Sequence, residues 1–310
     1  MKRQPLVSII TPSFNQVKFL EQTITSVLEQ DYPSIEYLVV DGNSTDGSQA
    51  IIKKYAGRIT WWVSEPDQGQ AEAINKGIKH AKGEIVAWLN SDDYYLPGAV
   101  TKAVAAFQNH PSFSFIYGDV LAVDVDGCQI NKLHYYQMGL IELMKFNIIG
   151  QSSVFIRREI LNKIGFLDTS LQYLLDHQLW LRLAQQAPIQ HLPEMLSAAR
   201  FHSQSKNIAH ASAFGEEAYR IIAWIERIPE LNSKYENNKK QIWAGAHRIN
   251  ARYLLDGEQP WEAYKAYIQS MRADFPTALP EWYRIIYSLA AVAGLGKLKR
   301  LHPRWRNWKK

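Results

Sequence analysis

Hydrophobic positions along the first two-fifths of the chain alternate between two periods. Continuous apolar runs at Leu6–Ile10, Ile35–Val40, Ile59–Val63 and Glu84–Leu89 predict buried strands. Between them, helical spacing predicts helices at Phe19–Gln30, Ser48–Tyr55, about Gln70–Ala81 and about Pro97–Gln108. In the first of these, Leu20, Ile24, Val27 and Leu28 share one face. Strand–helix alternation with strands apolar on both sides predicts an α/β fold, a mostly parallel central sheet with helices on both faces. After residue 110 the pattern changes. The stretch 113–130 predicts a hairpin turning at Asp126-Gly127. A strand at Gln151–Arg157, a helix at Leu174–Gln186 and short strands around Gln190 and at Ala198–His202 follow. From about Ser203 the strand signals vanish. Ile221 and Ile225 mark one helix, and Ile242, Ala246, Ile249 and Tyr253 a second. Trp261, Tyr264, Ile268, Met271 and Phe275 mark a third, and a fourth starts at Pro280. The predicted organisation is an α/β domain over 1–205, in halves 1–110 and 111–205, then a helical region over 206–310.

Composition narrows the class. The chain has 310 residues, 46% apolar and 21% charged, which excludes a disordered, collagen-like or coiled-coil protein. The single cysteine, Cys128, excludes an internal disulfide, a cysteine-ligated zinc site and an iron–sulfur cluster within one chain. It suits a reducing compartment. The N-terminal apolar run is too short for a signal-peptide core. The longest apolar stretch, Ile285–Gly296, has 12 residues, short of the roughly 20 a membrane-spanning helix needs. The expectation is a cytoplasmic protein, free or peripheral on the inner face of the membrane.

The net charge of +5 is local. Residues 297–310 hold seven Lys/Arg and no acid; without them 28 basic residues face 30 acidic ones and the net charge is −2. This basic stretch follows the apolar run and contains Trp305 and Trp308, a combination that suits an anionic membrane surface. A solvated, frayed terminus explains it equally well. No basic stripe runs through the α/β half, which disfavours a nucleic-acid partner.

Ligands of such sheets bind outside the carboxyl ends of the strands. Three polar turns fall there: Thr11-Pro12-Ser13, the stretch Asp41–Ser48, and Asn90–Asp93. Each alone reads as a capped turn. Together they point to a ligand crevice. The phosphate loop G-x-x-x-x-G-K-[ST] and the dinucleotide fingerprint G-x-G-x-x-G are both absent. Carboxylates in a crevice suggest instead a divalent cation bridging to phosphates, with Asp92 and Asp93 as candidate ligands.

The segments VSIITPSFNQ, LVVDGNSTDGS and PDQGQAEAINKGIKHAKGEIVAWLNSDD resemble the nucleotide-sugar-binding half of family 2 glycosyltransferases, enzymes of the GT-A fold. The resemblance covers about residues 6–202. It implies that Thr11, Pro12 and Ser13 line the base pocket and that Asp41 accepts a hydrogen bond from a uracil ring. Asp67, Gly69 and Asn75 match the loop and helix under the nucleotide. The D-x-D motif falls on Asn90-Ser91-Asp92, so Asp92 is the implied metal ligand, with Ser91 and Asp93 beside it. Asn90 stands where the family has an acid. This implies weaker cation binding by the free protein, with the diphosphate completing the ligands of Mn²⁺ or Mg²⁺. Gly150-Gln151 matches a loop near the donor sugar.

The stretch LLDHQLWLRL resembles the acceptor side, with Asp176 on the catalytic-base position and Leu175 where a second acid is usual. By its residue type alone, Asp176 is equally an acid charging the first turn of its helix. His202 falls where many GT-A enzymes place a histidine on the metal, and imidazole suits Mn²⁺ better than Mg²⁺. Arg157 and Arg158 read as a solvated strand end before they read as diphosphate ligands, and Trp61, Trp62 and Trp88 as core.

The implied activity is inverting transfer of a sugar from a nucleoside diphosphate donor, uridine diphosphate favoured, to a hydroxyl of a saccharide or lipid-linked acceptor. Two rivals stand beside it. One is a non-catalytic sugar-nucleotide-binding protein of the same fold, which the Asn90 and Leu175 departures keep open. The other is a sugar nucleotidyltransferase, disfavoured because TPSFNQ lacks the Gly-rich, Arg/Lys-bearing loop of that class.

Overall fold

The computed structural model describes residues 4–110, 112–202 and 211–295. The predicted boundary at 205/206 and the basic stretch 297–310 lie outside the described residues. The chain divides into two compact units, Met1–Gly139 with Ile149–Arg200, and Leu140–Ile148 with Phe201–Lys310.

The first unit is built on one mixed sheet. Its strands are β1 (Val7–Ser13), β2 (Ile35–Asp41), β3 (Trp61–Ser64), β4 (Ile85–Trp88), β5 (Tyr94–Tyr95), β6 (Phe115–Val123), β7 (Gln129–Leu133), β8 (Val154–Arg157) and β9 (Ile189–Arg200). They run in the order β3-β2-β1-β4-β8-β6-β9-β5, with β7 paired to β6. Helices α1 (Val17–Leu28), α2 (Ser48–Tyr55), α3 (Gln70–His80) and α4 (Ala99–Asn109) alternate with the first strands; α5 (Leu140–Met144) belongs to the second unit; α6 (Arg158–Ile164) and α7 (Leu175–Gln186) follow β8.

The four strands read from continuous apolar runs form the parallel part, with β1 between β2 and β4 and β3 outside β2. Val7, Ile9, Ile10, Val39 and Val86 are fully buried, as strands covered on both faces require. The direction changes at β4, which pairs antiparallel with β8. Strand β6 is antiparallel to β8 and parallel to β9, and β5 is antiparallel to β9. Where two short strands were expected near the end of the unit, β9 runs unbroken from Ile189 to Arg200. Pro193 lies where the β6–β9 register slips at Gly118/Asp119, an irregularity that accommodates a residue with no N–H to give the ladder. Of the expected strand at 151–157, the first turn is a 3₁₀ helix and only Val154–Arg157 is extended.

The second unit contains α5 together with α8 (Ala211–Glu226), α9 (Pro229–Asp256), α10 (Pro260–Ala273), α11 (Phe275–Ala278) and α12 (Trp282–Val292). A 3₁₀ turn at Leu279–Glu281 precedes α12. The third predicted helix stops before Phe275 because Pro276 follows and Asp274 caps a new one, its Oδ2 accepting from Thr277 N at 3.0 Å. Ala251, Leu255, Ala263, Ala266 and Tyr267 pack between α9 and α10. Arg248 on α9 holds the α5 segment by donating to Phe146 O (3.3 Å) and Asn147 Oδ1 (2.9 Å). That docking draws residues 140–148 into the helical unit and out of the α/β half. No helix among the described residues is long and apolar enough to cross a membrane.

Candidate functional site

The parallel register brings the predicted turns together. Ser13 is level with Asp41 across β1 and β2, and Asp41 with Ser64 across β2 and β3. Leu89 N donates to Ile10 O at 2.8 Å, and Gly42 N to Ser13 O at 2.8 Å, so the chain leaves β4 and β2 against β1. The loop after β2 is then laced to the start of α1. Asn15 N donates to Ser44 Oγ (2.8 Å), Gln16 N to Ser48 Oγ (3.1 Å) and Val17 N to Asp46 Oδ2 (2.8 Å). The first N–H groups of α1 lack partners within their own helix, and the second loop supplies them. Burial acts to raise the Asp46 carboxyl, but the bonds from Ser48 and Val17 hold it below its ordinary value.

The predicted residues differ in how much of their chemistry the fold already uses. Thr11 is buried and its hydroxyl accepts from Tyr37 (3.0 Å), while Ser13 Oγ is buried without a hydrogen-bond partner. Asp41 is fully buried and accepts from Ser44 N (2.9 Å), Ser44 Oγ (2.5 Å) and Ser64 Oγ (2.6 Å). A carboxylate has about four acceptor positions, so one remains. Asp67 accepts from Gly69 N at 2.9 Å, and a Cβ on Gly42 would stand 2.8 Å from its Oδ2, which places Asp67 against the end of β2.

Asn75 spends both ends of its amide on Leu167, donating to the carbonyl at 2.9 Å and accepting from the N–H at 3.0 Å. A Cβ on Gly69 would meet Gln172 at 2.9 Å. The loop 165–174 is thus fastened to the start of α3, and this loop leads directly into α7. Arg182 fastens its other side, donating to Ile164 O (3.0 Å), Gly165 O (3.2 Å) and Phe166 O. Asp176 is half-buried in the first turn of α7, and its Oδ1 accepts from His177 N at 2.7 Å. Trp180 on the same helix stacks on Trp88 of β4 with ring centres 5.2 Å apart.

The turn after β4 is held from three sides. Thr23 Oγ1 of α1 donates to Ser91 O (3.0 Å) and Asp93 O (2.6 Å). Asn90 Oδ1 accepts from Gln70 Nε2 of α3 at 2.7 Å. Asp93 is buried and accepts from Arg200 N at 2.9 Å; burial first, and the neighbouring Asp92 charge second, push its carboxyl well above the ordinary range. Arg200 also donates to Asp92 O (3.0 Å), Asp124 O (3.1 Å), Val125 O (3.1 Å) and Gln22 Oε1 (2.5 Å), with its guanidinium 4.6 Å from the Phe19 ring centre. Asp92 itself is half-buried. Gln151 reaches the same strand end, donating to Trp88 O at 2.8 Å, and Gly150 O accepts from Ser153 N at 3.1 Å.

Two arginines do not join this crevice. Strand β8 runs against β4, so Arg157 and Arg158 lie at the opposite end of the sheet, donating to Phe113 O and to the Lys82 and Gly83 carbonyls. They do not face a diphosphate at the turns. His202 lies two residues past β9, in the second unit. Sequence reasoning missed Thr23, Gln70, Arg182 and Arg200. For Arg200 a signal existed, since it ends the last strand beside Phe201-His202; for Thr23 none did.

Among the described residues no group of three or more His, Cys, Asp or Glu side chains forms a cage for a metal. The Asn90 amide is engaged with Gln70 and the Asp93 carboxyl with Arg200. Asp92, half-buried beside them, is the carboxylate that the D-x-D resemblance gives to a cation. One carboxylate plus diphosphate oxygens is a donor set that Mg²⁺ and Mn²⁺ accept, so the residues fit an ion that arrives with a diphosphate.

A family model described as Glycosyl transferase family 2 matches residues 8–165. An uncharacterized glycosyltransferase of Rickettsia felis is 31% identical over 222 residues, 66% of this chain. The aligned segment spans only about a third (36%) of that relative's length. Among solved structures, the mannosyltransferase PcManGT from Pyrobaculum calidifontis, in complex with GDP-Man and Mn²⁺, superposes with a TM-score of 0.65 at 19% identity, covering 99% of this chain and 84% of that one. S. aureus TarS 1-349 in complex with UDP-GlcNAc gives 0.59 at 18%, covering 90% and 91%. The fold is GT-A. The matched segment runs from β1 to the end of α6 and contains the laced strand ends Ser13, Asp41, Asp67 and Asp92, so this chain belongs to glycosyl transferase family 2.

Proposed function

We propose that the chain transfers a sugar, with inversion, from a nucleoside diphosphate donor to a hydroxyl of a saccharide or lipid-linked acceptor. The observation that carries this reading is the Asn90–Asp93 turn. Thr23, Gln70 and Arg200 lock it, and it holds Asp92 at the mouth formed by the ends of β1, β2 and β4. The donor nucleotide lies across Thr11–Ser13, with Asp41 and Asp67 under the base and ribose. Uridine diphosphate is the favoured donor, and the TarS complex with UDP-GlcNAc supports it as a fold-level precedent. Asp92 would hold a divalent cation, Mn²⁺ or Mg²⁺, which when bound supplies Lewis-acid neutralisation of the leaving diphosphate.

The acceptor side is α7. An alcohol cannot lose its proton unaided near neutral pH, and a positioned base contributes about 10²–10⁴-fold. Asp176 takes that proton as the acceptor oxygen attacks the anomeric carbon and the bond to the diphosphate breaks. Asn75 and Arg182 act as positioning residues, because they fix the loop from which α7 starts.

The test is a panel of nucleotide sugars screened by thermal shift with Mn²⁺ and with chelator, followed by transfer assays. Asp176→Asn is expected to keep donor binding while transfer falls about 10²–10⁴-fold. Asp92→Ala is expected to lose both transfer and the cation-dependent part of donor binding. Donor binding without turnover in the wild-type chain would select the non-catalytic reading. Pyrophosphate release from a nucleoside triphosphate would select the nucleotidyltransferase.

A further inference from the structure

Helix α12 is apolar on two sides. Its inward side packs Ile285, Tyr287 and Ala291 against α9 and α10, beside Arg284, which pairs with Asp256 at 3.2 Å, and Ser288, which is fully buried and donates to Ile285 O at 2.7 Å. Its outward side is apolar. Trp282, Ile286 and Leu289 are 54%, 53% and 49% exposed, and Val292 is 42% exposed. Their i, i+4, i+7 spacing makes one stripe along the helix. Phe275 and Leu279 before the helix and Leu295 after it are also about half exposed (56%, 48% and 56%), and residues 285–295 contain no charged side chain. A surface helix facing water turns a polar side outward, so this second apolar face is made for another apolar phase.

We propose that this stripe lies in the interfacial layer of an anionic lipid membrane, with residues 297–310 supplying the attraction to the headgroups. Two observations select lipid over other occupants. The helix has 11 residues, which at 1.5 Å each is about 16 Å, half of the roughly 30 Å hydrocarbon core, so it lies in the plane and does not span. The chain that follows carries seven Lys/Arg, no acid and two tryptophans within 14 residues (297–310). An anionic bilayer complements them, and interfacial tryptophans favour the same boundary. The inference requires nothing of the transfer reaction.

The experiment is vesicle flotation of the full chain, with phosphatidylcholine alone and with phosphatidylcholine and phosphatidylglycerol at three parts to one. The wild-type chain is expected to float with the anionic vesicles only, and more weakly in high salt. Ile286→Glu combined with Leu289→Glu changes two outward side chains, and is expected to lower the bound fraction by at least about tenfold with an unchanged melting curve. Replacing the seven Lys/Arg of 297–310 by Gln is expected to remove the preference for anionic vesicles. Equal flotation of the Ile286→Glu/Leu289→Glu chain and the wild type overturns the proposal. So does a wild-type dimer that this double variant makes monomeric while neither form binds vesicles.

Discussion

Replacing Arg200 by Met tests the idea that one buried guanidinium holds the Asn90–Asp93 turn in place. Met keeps the length and apolar bulk of the side chain but removes its charge and all its donors. Four hydrogen bonds disappear: to Asp92 O, Asp124 O, Val125 O and Gln22 Oε1. A bond from a charged donor is worth about 1.5–3 kcal/mol net. The hairpin carbonyls at 124–125 are half-buried and Gln22 is exposed, so water replaces much of what they lose. What remains is the bond to Asp92 O and the stacking of the guanidinium over Phe19 and Tyr94, worth about 1 kcal/mol more. The net loss is about 3 kcal/mol. At about 2–4 °C per kcal/mol for a unit of this size, the melting temperature of the sheet-bearing unit falls by about 6–12 °C. The assay is calorimetric melting, followed by Mn²⁺ titration of the donor-induced thermal shift. The cation midpoint should rise, because Asp92 sits on a turn that has lost a tether. A melting temperature within about 1 °C of wild type, with an unchanged cation midpoint, would refute the reasoning.

Two further outcomes concern the helical unit. A Cβ on Gly245 of α9 would stand 2.0 Å from Lys145 O, a backbone atom that cannot swing aside; Gly245→Ala should destabilise that unit by about 2–3 kcal/mol in denaturant titration, and an unchanged midpoint would show that α5 docks elsewhere. Glu281 is buried, which acts to raise its pKa, but Arg252, Arg284 and Arg248 together hold it down to about 2. Because the folded value lies below the unfolded one of 4.5, the stabilisation is present above about pH 4.5 and is lost as pH falls toward 2. Glu281→Gln should therefore destabilise by about 3–5 kcal/mol at neutral pH by stranding buried guanidinium groups, with the gap to wild type narrowing in acid; a gap independent of pH would disprove the ion-pair account.

The amino-acid sequence by itself determined the parallel core and where its polar turns fall. Val7–Ile10, Ile35–Val40 and Ile85–Trp88 are apolar on both faces, and only a sheet covered on both sides can bury such strands. The polar turns that follow them must then lie at one edge, since parallel strands share a direction. Ser48–Tyr55 was legible to the residue because Gly47 and the spacing of Ile51 and Ile52 bound it locally. Helices α5 and α6 were not, being five and seven residues long, too short to express a period.

Only the tertiary structure decided how the crevice is held. That Asn75 serves the loop before α7, that Thr23 clamps Ser91 and Asp93, and that Arg200 joins the Asp92 turn to a hairpin and to α1 are contacts between residues tens to well over a hundred positions apart. Periodicity and turn chemistry report on neighbours along the chain, and carry no information about which distant carbonyl a buried side chain will satisfy. The same limit explains α12. Its apolar run was visible as sequence, but which face turned outward depended on Arg284 and Glu281 finding buried partners on other helices.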